Sequence, residues 1–189
     1  MKNEIECRLL NCDVENFLKT LKNHNAKFIG DWLQVRNCYD FTPVRQNSWI
    51  RLRTNGTETT LTIKEVSSCK IDGTKECEII VSDFNTTDEL LNRLGYTARS
   101  RQENRRIQYI LDNVEIDIDF WPQIPPFIEF EAETEEQIKN VCEKLGINFS
   151  DTTSIDVEKI YNFYGLEFST FPEIVLLEED IKNKQFIIK

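Results

Sequence analysis

The sequence predicts an α+β fold: an eight-stranded antiparallel β-barrel with a charged interior and helices packed outside. Three observations lead to this prediction. About eight segments alternate apolar and charged residues with a period of two, neighbouring segments are joined by short turn signals, and several amphipathic helices lie between them. Pairing of strands adjacent in sequence favours an antiparallel sheet, and eight strands are enough to close it into a barrel.

The size and composition of the chain indicate one globular domain. With 189 residues, 40% hydrophobic and 30% charged, the chain is long enough to bury a sizeable core. No internal repeat, low-complexity tract or linker divides it. We therefore predict a barrel domain over residues 1–170 and a helical tail of the same domain over residues 171–189.

The net charge of −10 argues against general binding to nucleic acid or to an anionic membrane, because both need an excess of lysine and arginine. The first residues, "MKNEIECRLL", contain no apolar run of signal-peptide length, and no stretch approaches the length of a transmembrane helix. These features predict a cytoplasmic protein with neither a nucleic-acid nor a membrane partner.

The first half of the chain shows one helix and five strand candidates. "EIECRLL" alternates as a strand does, and Asp13 is placed to cap the helix "VENFLKTLKNH". Turn signals at Asn55-Gly56 and Asp72-Gly73 separate the last strands of this half. The four further strand candidates are "KFIGDWLQVRNCYDF", "SWIRLRT", "ETTLTIKEV" and "TKECEIIVS".

The second half begins with "TTDELLNRLG", a short capped helix that ends at Gly95. "YTARSRQENRRIQYIL" and "VEIDIDF" form a predicted long hairpin that turns at Asp112-Asn113. The strand "PPFIEFEAE" and the helix "TEEQIKNVCEKLG" follow. The segments "SIDVEKIYNFYG" and "PEIVLLEEDIKNKQ" have a helical pattern.

Each predicted strand carries its charges on one face, because side chains two residues apart point the same way. Glu4, Glu6 and Arg8 thus lie opposite Ile5 and Cys7. On the other strands the same pattern selects the following charged residues: Arg51, Arg53, Lys64, Glu76, Glu78, Arg106, Asp117, Asp119, Glu129, Glu131 and Glu133.

Two interpretations of these charged faces stay open. In an open sheet they would face water while the apolar face is buried. In a barrel coated by helices the apolar face is outside, so the charges line the lumen. Such a lumen must be wet and cross-paired, and it suits a charged guest. A polyphosphate fits, because arginine and lysine bind its oxygens while carboxylates hold the accompanying metal ions.

The numbers and spacing of cysteine and histidine residues limit which metal ions the protein could bind. Six cysteines are scattered without a CxxC motif, and His24 is the only histidine. Neither a thiolate zinc site nor a site of several imidazoles is therefore predicted. A metal in this protein must be held by oxygen, which favours Mg²⁺ or Mn²⁺.

The motif Glu4-x-Glu6-x-Arg8 resembles the ExExK signature of the CYTH superfamily, the triphosphate tunnel metalloenzymes. That superfamily includes class IV adenylyl cyclases, thiamine triphosphatases and inorganic tripolyphosphatases. Further matches follow in family order over residues 4–131: "WIRLR", "LTIK", "ECE", "RRIQY", "EIDID" and "FIEFE".

The resemblance implies an eight-stranded tunnel, a divalent metal and a small-molecule triphosphate substrate. It implies catalytic roles for Glu4, Glu6 and Arg8. It implies phosphate binding by Arg8, Arg51, Arg53, Lys64 and Arg106. It implies metal binding by Glu4, Glu6, Asp119, Glu129 and Glu131. Glu76, Glu78 and Asp117 share the inward face, but their roles stay open.

Two residues depart from the family pattern. Arg8 stands where relatives carry lysine, and a guanidinium cannot act as a base because it does not deprotonate in proteins. Asn104 stands where relatives often carry the lysine of Lys-x-Arg. Arg101 or Arg105 could replace that lysine if the hairpin contained a bulge.

Three functions remain open at this stage. The first is a metal-dependent triphosphatase acting on inorganic tripolyphosphate or on an organic triphosphate such as thiamine triphosphate. The second is an adenylyl cyclase, which needs a base pocket; candidate residues for it are Trp121, Phe127, Tyr161 and Tyr164, although such aromatics also suit core packing. The third is a noncatalytic polyphosphate or nucleotide sensor. A homodimer is among the assemblies left open.

Overall fold

The computed structural model describes residues 1–168 and 173–176 of the chain. Eight strands form the body of the fold, and each coincides with a segment that alternates in sequence. They are β1 (Lys2–Leu9), β2 (Lys27–Tyr39), β3 (Ser48–Thr54), β4 (Thr59–Val66), β5 (Thr74–Val81), β6 (Ala98–Leu111), β7 (Val114–Phe120) and β8 (Phe127–Ala132).

The eight strands close into an antiparallel barrel in the order β2-β3-β4-β5-β1-β8-β7-β6, and β6 pairs back onto β2. The closing pair is long: it runs from Lys27 opposite Ile110 to Tyr39 opposite Ala98. The β6–β7 hairpin turns at Asp112 and Asn113, whose positive φ angles of 50° and 64° suit a two-residue hairpin turn. The predicted barrel is therefore confirmed.

A ninth strand corrects part of the predicted C-terminal helix. Glu173–Ile174 form β9, which runs parallel to β6 beside Arg101 and Gln102. β7 pairs with β6 only from Arg105 onwards, so this part of the β6 edge is available to β9. The helical prediction is wrong for these two residues. The rest of the predicted tail lies outside the described residues, apart from residues 175–176, which have no regular structure.

Four α-helices are interspersed with the strands: α1 (Val14–Asn23), α2 (Phe84–Arg93), α3 (Glu135–Lys144) and α4 (Val157–Phe163). Each begins after a side chain that accepts a hydrogen bond from an otherwise unpaired backbone N–H of the first turn. Asp13, Asp83, Thr134 and Asp156 are these caps, and Thr134 forms a reciprocal capping box with Gln137.

The main hydrophobic core lies outside the barrel, between its wall and helices α1 and α3. Leu21 and Ile138 are fully buried there against the apolar face that includes Ile116 and Phe130. Helix α2 covers Tyr39 and Leu52, and α4 packs near the β7–β8 connection. None of the helices in the described ranges has the length and apolar character of a bilayer-spanning segment.

Because the apolar strand faces are buried under helices, the charged faces point into the barrel. On β7, Ile116 and Ile118 join the outer core, whereas the alternate residues Asp117 and Asp119 contact charged groups inside. The fold therefore selects the lumen interpretation over the solvated open sheet.

Candidate functional site

The lumen contains a cavity of about 630 Å³ lined by charged side chains from almost every strand. Twelve of the thirteen predicted site residues line it; they are Glu4, Glu6, Arg8, Arg51, Arg53, Lys64, Glu76, Glu78, Arg106, Asp119, Glu129 and Glu131. The thirteenth, Asp117, is buried beside them and forms an ion pair with Arg106.

Three carboxylates form an acidic cluster on one side of the cavity. Glu4 and Glu6 come from β1 and Glu131 from β8, where Glu6 and Glu131 are directly opposed. One oxygen of each lies within 4.8 Å of the others. An all-oxygen set of this size suits a hard divalent cation such as Mg²⁺ or Mn²⁺.

The acidic cluster carries more negative charge than its surroundings compensate. Burial, followed by the charges of Glu129 and Glu4, raises the pKa of Glu131 to about 8. Burial also raises the pKa of Glu4, and Lys64 only partly opposes this shift. A bound cation would relieve both the desolvation and the mutual repulsion, so the residues fit a metal ion.

Lys64 of β4 compensates one member of the acidic cluster. Its Nζ donates to both carboxylate oxygens of Glu4, at 2.7 and 2.8 Å, and lies 3.7 Å from Glu76 of β5. Lys64 therefore compensates part of the charge of Glu4 at the cavity wall.

Arg8 is almost completely buried and binds three acceptors. One terminal nitrogen lies 3.0 Å from Glu6 and 2.6 Å from Glu129, and the other donates to the carbonyl of Ile155 at 2.9 Å. Burial would lower the pKa of Arg8, but the charges of Glu129 and Glu6 outweigh it and raise the pKa. Arg8 thus stays charged and holds the last residues of β1 against β8 and the Ile155 segment.

Arg106 is surrounded by carboxylates. It donates to both oxygens of Asp119, at 2.9 and 2.6 Å, and to Glu129 at 3.1 Å, and it also forms an ion pair with Asp117. Burial alone would raise the pKa of Glu129, but Arg8 and Arg106 hold it well below its usual range. Of the five predicted metal-side residues, Asp119 and Glu129 therefore bind arginines rather than joining the acidic cluster.

Arg51 and Arg53 of β3 share a single carboxylate. Glu78 lies 3.3 Å from Arg51 and 3.9 Å from Arg53, and it accepts a 2.5 Å hydrogen bond from Thr62. The charge of Arg51, together with burial, lowers the pKa of Arg53 to about 10. This side of the lumen consequently carries excess positive charge.

Arg36 of β2 is a lumen residue that was not predicted. It lies 7% exposed in the cavity wall, and its guanidinium carbon is 4.7 Å above the Trp121 ring. In "QVRNC", Gln34 and Arg36 lie on one strand face and Val35 lies on the other. The alternation that identified the other strands could therefore have selected Arg36. We define the arginine wall as Arg36, Arg51 and Arg53.

Of the four aromatic residues proposed for a base pocket, Trp121 lines the cavity beside Arg36, whereas the other three lie elsewhere. Phe127 and Tyr161 are buried in the core under α4, and the Tyr161 hydroxyl donates to the Pro122 carbonyl at 2.7 Å. The Tyr164 hydroxyl donates to Asn11. Trp49 was not predicted, yet it lines the cavity and shares the alternating face of Arg51 and Arg53.

A sequence profile described as the CYTH domain matches residues 2–164. The chain belongs to the CYTH family. The match contains all eight strands of the barrel and all four helices. The acidic cluster and the arginine wall thus lie inside the barrel of a CYTH domain.

Solved structures have the same fold. A protein from Pyrococcus horikoshii OT3 aligns with a TM-score of 0.71 at 23% identity, covering 83% of this chain and 98% of that one. A Vibrio parahaemolyticus protein, provisionally named an adenylate cyclase, aligns with a TM-score of 0.72 at 15% identity over 85% and 98% of the two chains.

A third structure is that of a Hippeastrum protein, provisionally named an adenylyl cyclase and described as having a dominant triphosphatase activity. It aligns with a TM-score of 0.57 at 16% identity over 87% of this chain and 96% of that one. A search of curated protein sequences finds no significant match.

Neither Arg101 nor Arg105 replaces the lysine that relatives often carry at the position of Asn104. Arg101 and Arg105 lie on the outer face of β6, where they bind Glu103 and Asp31. Asn104 instead donates to Asp119 at 2.9 Å, and its side-chain oxygen accepts a hydrogen bond from Arg36. The only register shifts between β2 and β6 lie at Phe28/Gly30 and Cys38/Tyr39, away from Asn104, so no bulge turns Arg101 or Arg105 inward.

Proposed function

We propose that this CYTH protein is a metal-dependent phosphohydrolase that cleaves a small-molecule triphosphate in the barrel lumen. The observation that carries the proposal is the separation of charge across the cavity. Three carboxylates cluster on one side, and the arginine wall lies on the other. A metal-bound triphosphate needs both kinds of group, because its oxygens bind cations and its metal binds carboxylates.

Glu4, Glu6 and Glu131 are the residues that would hold Mg²⁺ or Mn²⁺. Such an ion neutralises the charge that develops on phosphoryl oxygens during transfer. Asp119 and Glu129, the other two proposed metal-side residues, keep Arg106 and Arg8 oriented toward the lumen.

Arg51 and Arg53 are the proposed phosphate ligands with the least carboxylate compensation. Arg51 and Arg53 share Glu78, and Lys64 pairs mainly with Glu4. Arg8 and Arg106 complete the set, although three acceptors already bind each of them. Fixed cations aimed at phosphoryl oxygens lower the barrier because they need no reorganisation as charge develops.

The proposed reaction is attack by water on the terminal phosphorus. A bond forms between the water oxygen and phosphorus, the bond to the bridging oxygen breaks, and orthophosphate and a diphosphate leave. A carboxylate of the acidic cluster accepts the water proton, which requires it to be ionised. Arg8 cannot accept that proton, so no step assigns it the role of a base.

An adenylyl cyclase is the second candidate function. The observation that favours an organic substrate is Trp49, an aromatic residue in the cavity wall beside Arg51. In a cyclase the ribose 3′-hydroxyl would attack the α-phosphorus, releasing pyrophosphate. A noncatalytic sensor would use the same charged groups without turnover. Mg²⁺ or Mn²⁺, the small-molecule substrate and a cytoplasmic location remain parts of this proposal.

Incubation of the purified protein with Mn²⁺ or Mg²⁺ and tripolyphosphate, thiamine triphosphate or ATP tests these functions. Release of orthophosphate without cAMP supports the triphosphatase and excludes the cyclase. Formation of cAMP and pyrophosphate excludes the hydrolase. Binding of a triphosphate without any turnover supports the noncatalytic sensor. A Glu4→Gln protein in the same assay is the control for contaminating phosphatases.

A further inference from the structure

We infer that Arg36 is a further anion-binding residue of the tunnel, held by neutral amides so that its positive charge is free for a phosphoryl group of the substrate. The inference rests on the proposed function in one respect only, the identity of the anion. Arg36 belongs to β2, a strand from which neither the spacing of charges nor the family resemblance selected a site residue.

Arg36 differs from the other lumen arginines in its partners. Within residues 1–168 and 173–176 it forms no ion pair with a carboxylate, whereas Arg8, Arg51, Arg53 and Arg106 each form at least one. Its hydrogen bonds go to the side-chain oxygens of Gln34, at 2.8 Å, and Asn104. Its Nε is buried without a hydrogen-bond partner, as are those of Arg8 and Arg51.

The two side-chain amides that bind Arg36, those of Gln34 and Asn104, lie on paired strands, and that of Asn104 is fixed in orientation. Asn104 donates its amide nitrogen to Asp119 at 2.9 Å, which turns its oxygen toward Arg36. Gln34 lies directly opposite Asn104 in the β2–β6 ladder, so both amides lie on the same side of the guanidinium. Neutral oxygens and the Trp121 ring orient Arg36 without cancelling its charge.

The surroundings make this charge costly in the free protein. Burial, and then the charges of Arg51, Arg53 and Arg106, lower the pKa of Arg36 to about 9, and the charge of Asp119 only partly opposes this shift. Taking a guanidinium out of water without an anionic partner destabilises a fold. The wall therefore favours an anion, and a triphosphate bridging Arg36 and Arg53, which are directly opposed on β2 and β3, would supply negative charge.

A structural role and an anion-binding role predict opposite effects of Arg36→Met. Methionine fills similar space against Trp121 and removes the uncompensated charge. If Arg36 binds an anion, the variant gains thermal stability in the absence of ligand but loses affinity for tripolyphosphate. If Arg36 only braces the β2–β6 pair, the variant loses stability and its affinity stays unchanged.

The experiment measures tripolyphosphate binding by calorimetry in EDTA, with no metal and no turnover, alongside the melting temperature of each protein. We expect Arg36→Met to weaken binding by about ten- to a hundredfold, as loss of a hydrogen bond to a charged group does. Arg36→Lys should lose less, because it keeps the charge. Arg101→Met, on the outer face of β6, is the matched control and should bind like the wild type.

Wild-type affinity in Arg36→Met, measured on folded protein, would overturn the inference whether or not the protein proves to be a triphosphatase. Conversely, if Arg36→Met loses affinity but the wild-type protein hydrolyses no triphosphate, the result would support the role of Arg36 and refute the proposed function. If Arg36→Met does not fold, Arg36→Lys and Arg36→Gln provide the same comparison. Unchanged affinity in Arg36→Gln, which removes the charge, would contradict the inference.

Discussion

Lys64 donates to both carboxylate oxygens of Glu4 across the intervening strand β5, at 2.7 and 2.8 Å. The pair joins a residue proposed for phosphate binding to one proposed for metal binding. A cation at the acidic cluster would compete with Lys64 for Glu4. Metal binding would then release the Lys64 ammonium toward the substrate, so we expect metal and triphosphate to bind cooperatively.

Glu4→Gln should weaken Mn²⁺ binding and remove most metal-dependent turnover. Glutamine keeps the size of the side chain and one acceptor for Lys64, but it removes the charge that a hard cation needs. Calorimetry with Mn²⁺ measures the affinity, and circular dichroism checks the fold. Glu15→Gln on the exposed face of α1 is the control. Full turnover in both Glu4→Gln and Glu6→Gln would show that these carboxylates do not hold the metal.

Replacing Arg106 should lower the free energy of unfolding, whereas replacing Arg53 should mainly weaken tripolyphosphate binding. Arg106→Met leaves Asp117, Asp119 and Glu129 without a shared cation, and breaking such a buried network costs about 3–5 kcal/mol of unfolding free energy. Arg53 has one carboxylate at 3.9 Å, so Arg53→Met should alter stability little and weaken tripolyphosphate binding. Urea denaturation and calorimetry separate the two effects. Equal stability losses in both variants would contradict this division of roles.

Stability in EDTA should fall as the pH rises, because of Glu131. Its pKa is about 8 in the folded protein against an ordinary 4.5, so between these values the folded state binds more protons than the unfolded state. The free energy of unfolding therefore decreases with pH over that window. Glu131→Gln should flatten the slope, and Mn²⁺ should restore stability most at the alkaline end. A slope that is identical in Glu131→Gln would refute this assignment.

The sequence predicted the barrel and twelve of the cavity-lining residues because a lumen imposes a period of two that survives in the amino-acid order. It did not predict how those charges pair. Asp119 and Glu129 were grouped with the metal side, yet they bind Arg106 and Arg8. Pairing depends on register between strands far apart in the chain, and alternation alone does not specify register.

Arg36 and Trp49 were missed for a related reason. The prediction assigns no face to the residues of β2, so it does not select Arg36, and on β3 it selects only charged residues, which leaves out Trp49. The short β9 was missed because two residues carry too little periodicity to distinguish a strand from a helix.

Trp49 should distinguish organic from inorganic substrates. If its ring stacks on the organic part of a triphosphate, Trp49→Ala raises the KM for thiamine triphosphate or ATP by about tenfold and leaves tripolyphosphate hydrolysis unchanged. Trp32→Ala on β2, which does not line the cavity, is the control for loss of a tryptophan. A parallel loss with tripolyphosphate would mean that Trp49 shapes the phosphate site itself.

Arg8→Lys tests why an arginine occupies the third position of the CYTH signature. Besides its ion pairs with Glu6 and Glu129, Arg8 donates to the Ile155 carbonyl, and its backbone pairs with Thr153. A lysine ammonium keeps the charge but cannot span acceptors on both sides, so the variant should lose about 1–2 kcal/mol of unfolding free energy.

If this anchoring is the main role of Arg8, amide hydrogen exchange in Arg8→Lys should quicken around residues 152–156 while the KM for tripolyphosphate changes little. If Arg8 instead contacts substrate directly, the KM rises and the exchange pattern stays that of the wild type. Arg8 does not deprotonate, so the pH dependence of turnover in the wild-type protein should follow carboxylates, and lysine at this position should add a second, alkaline titration.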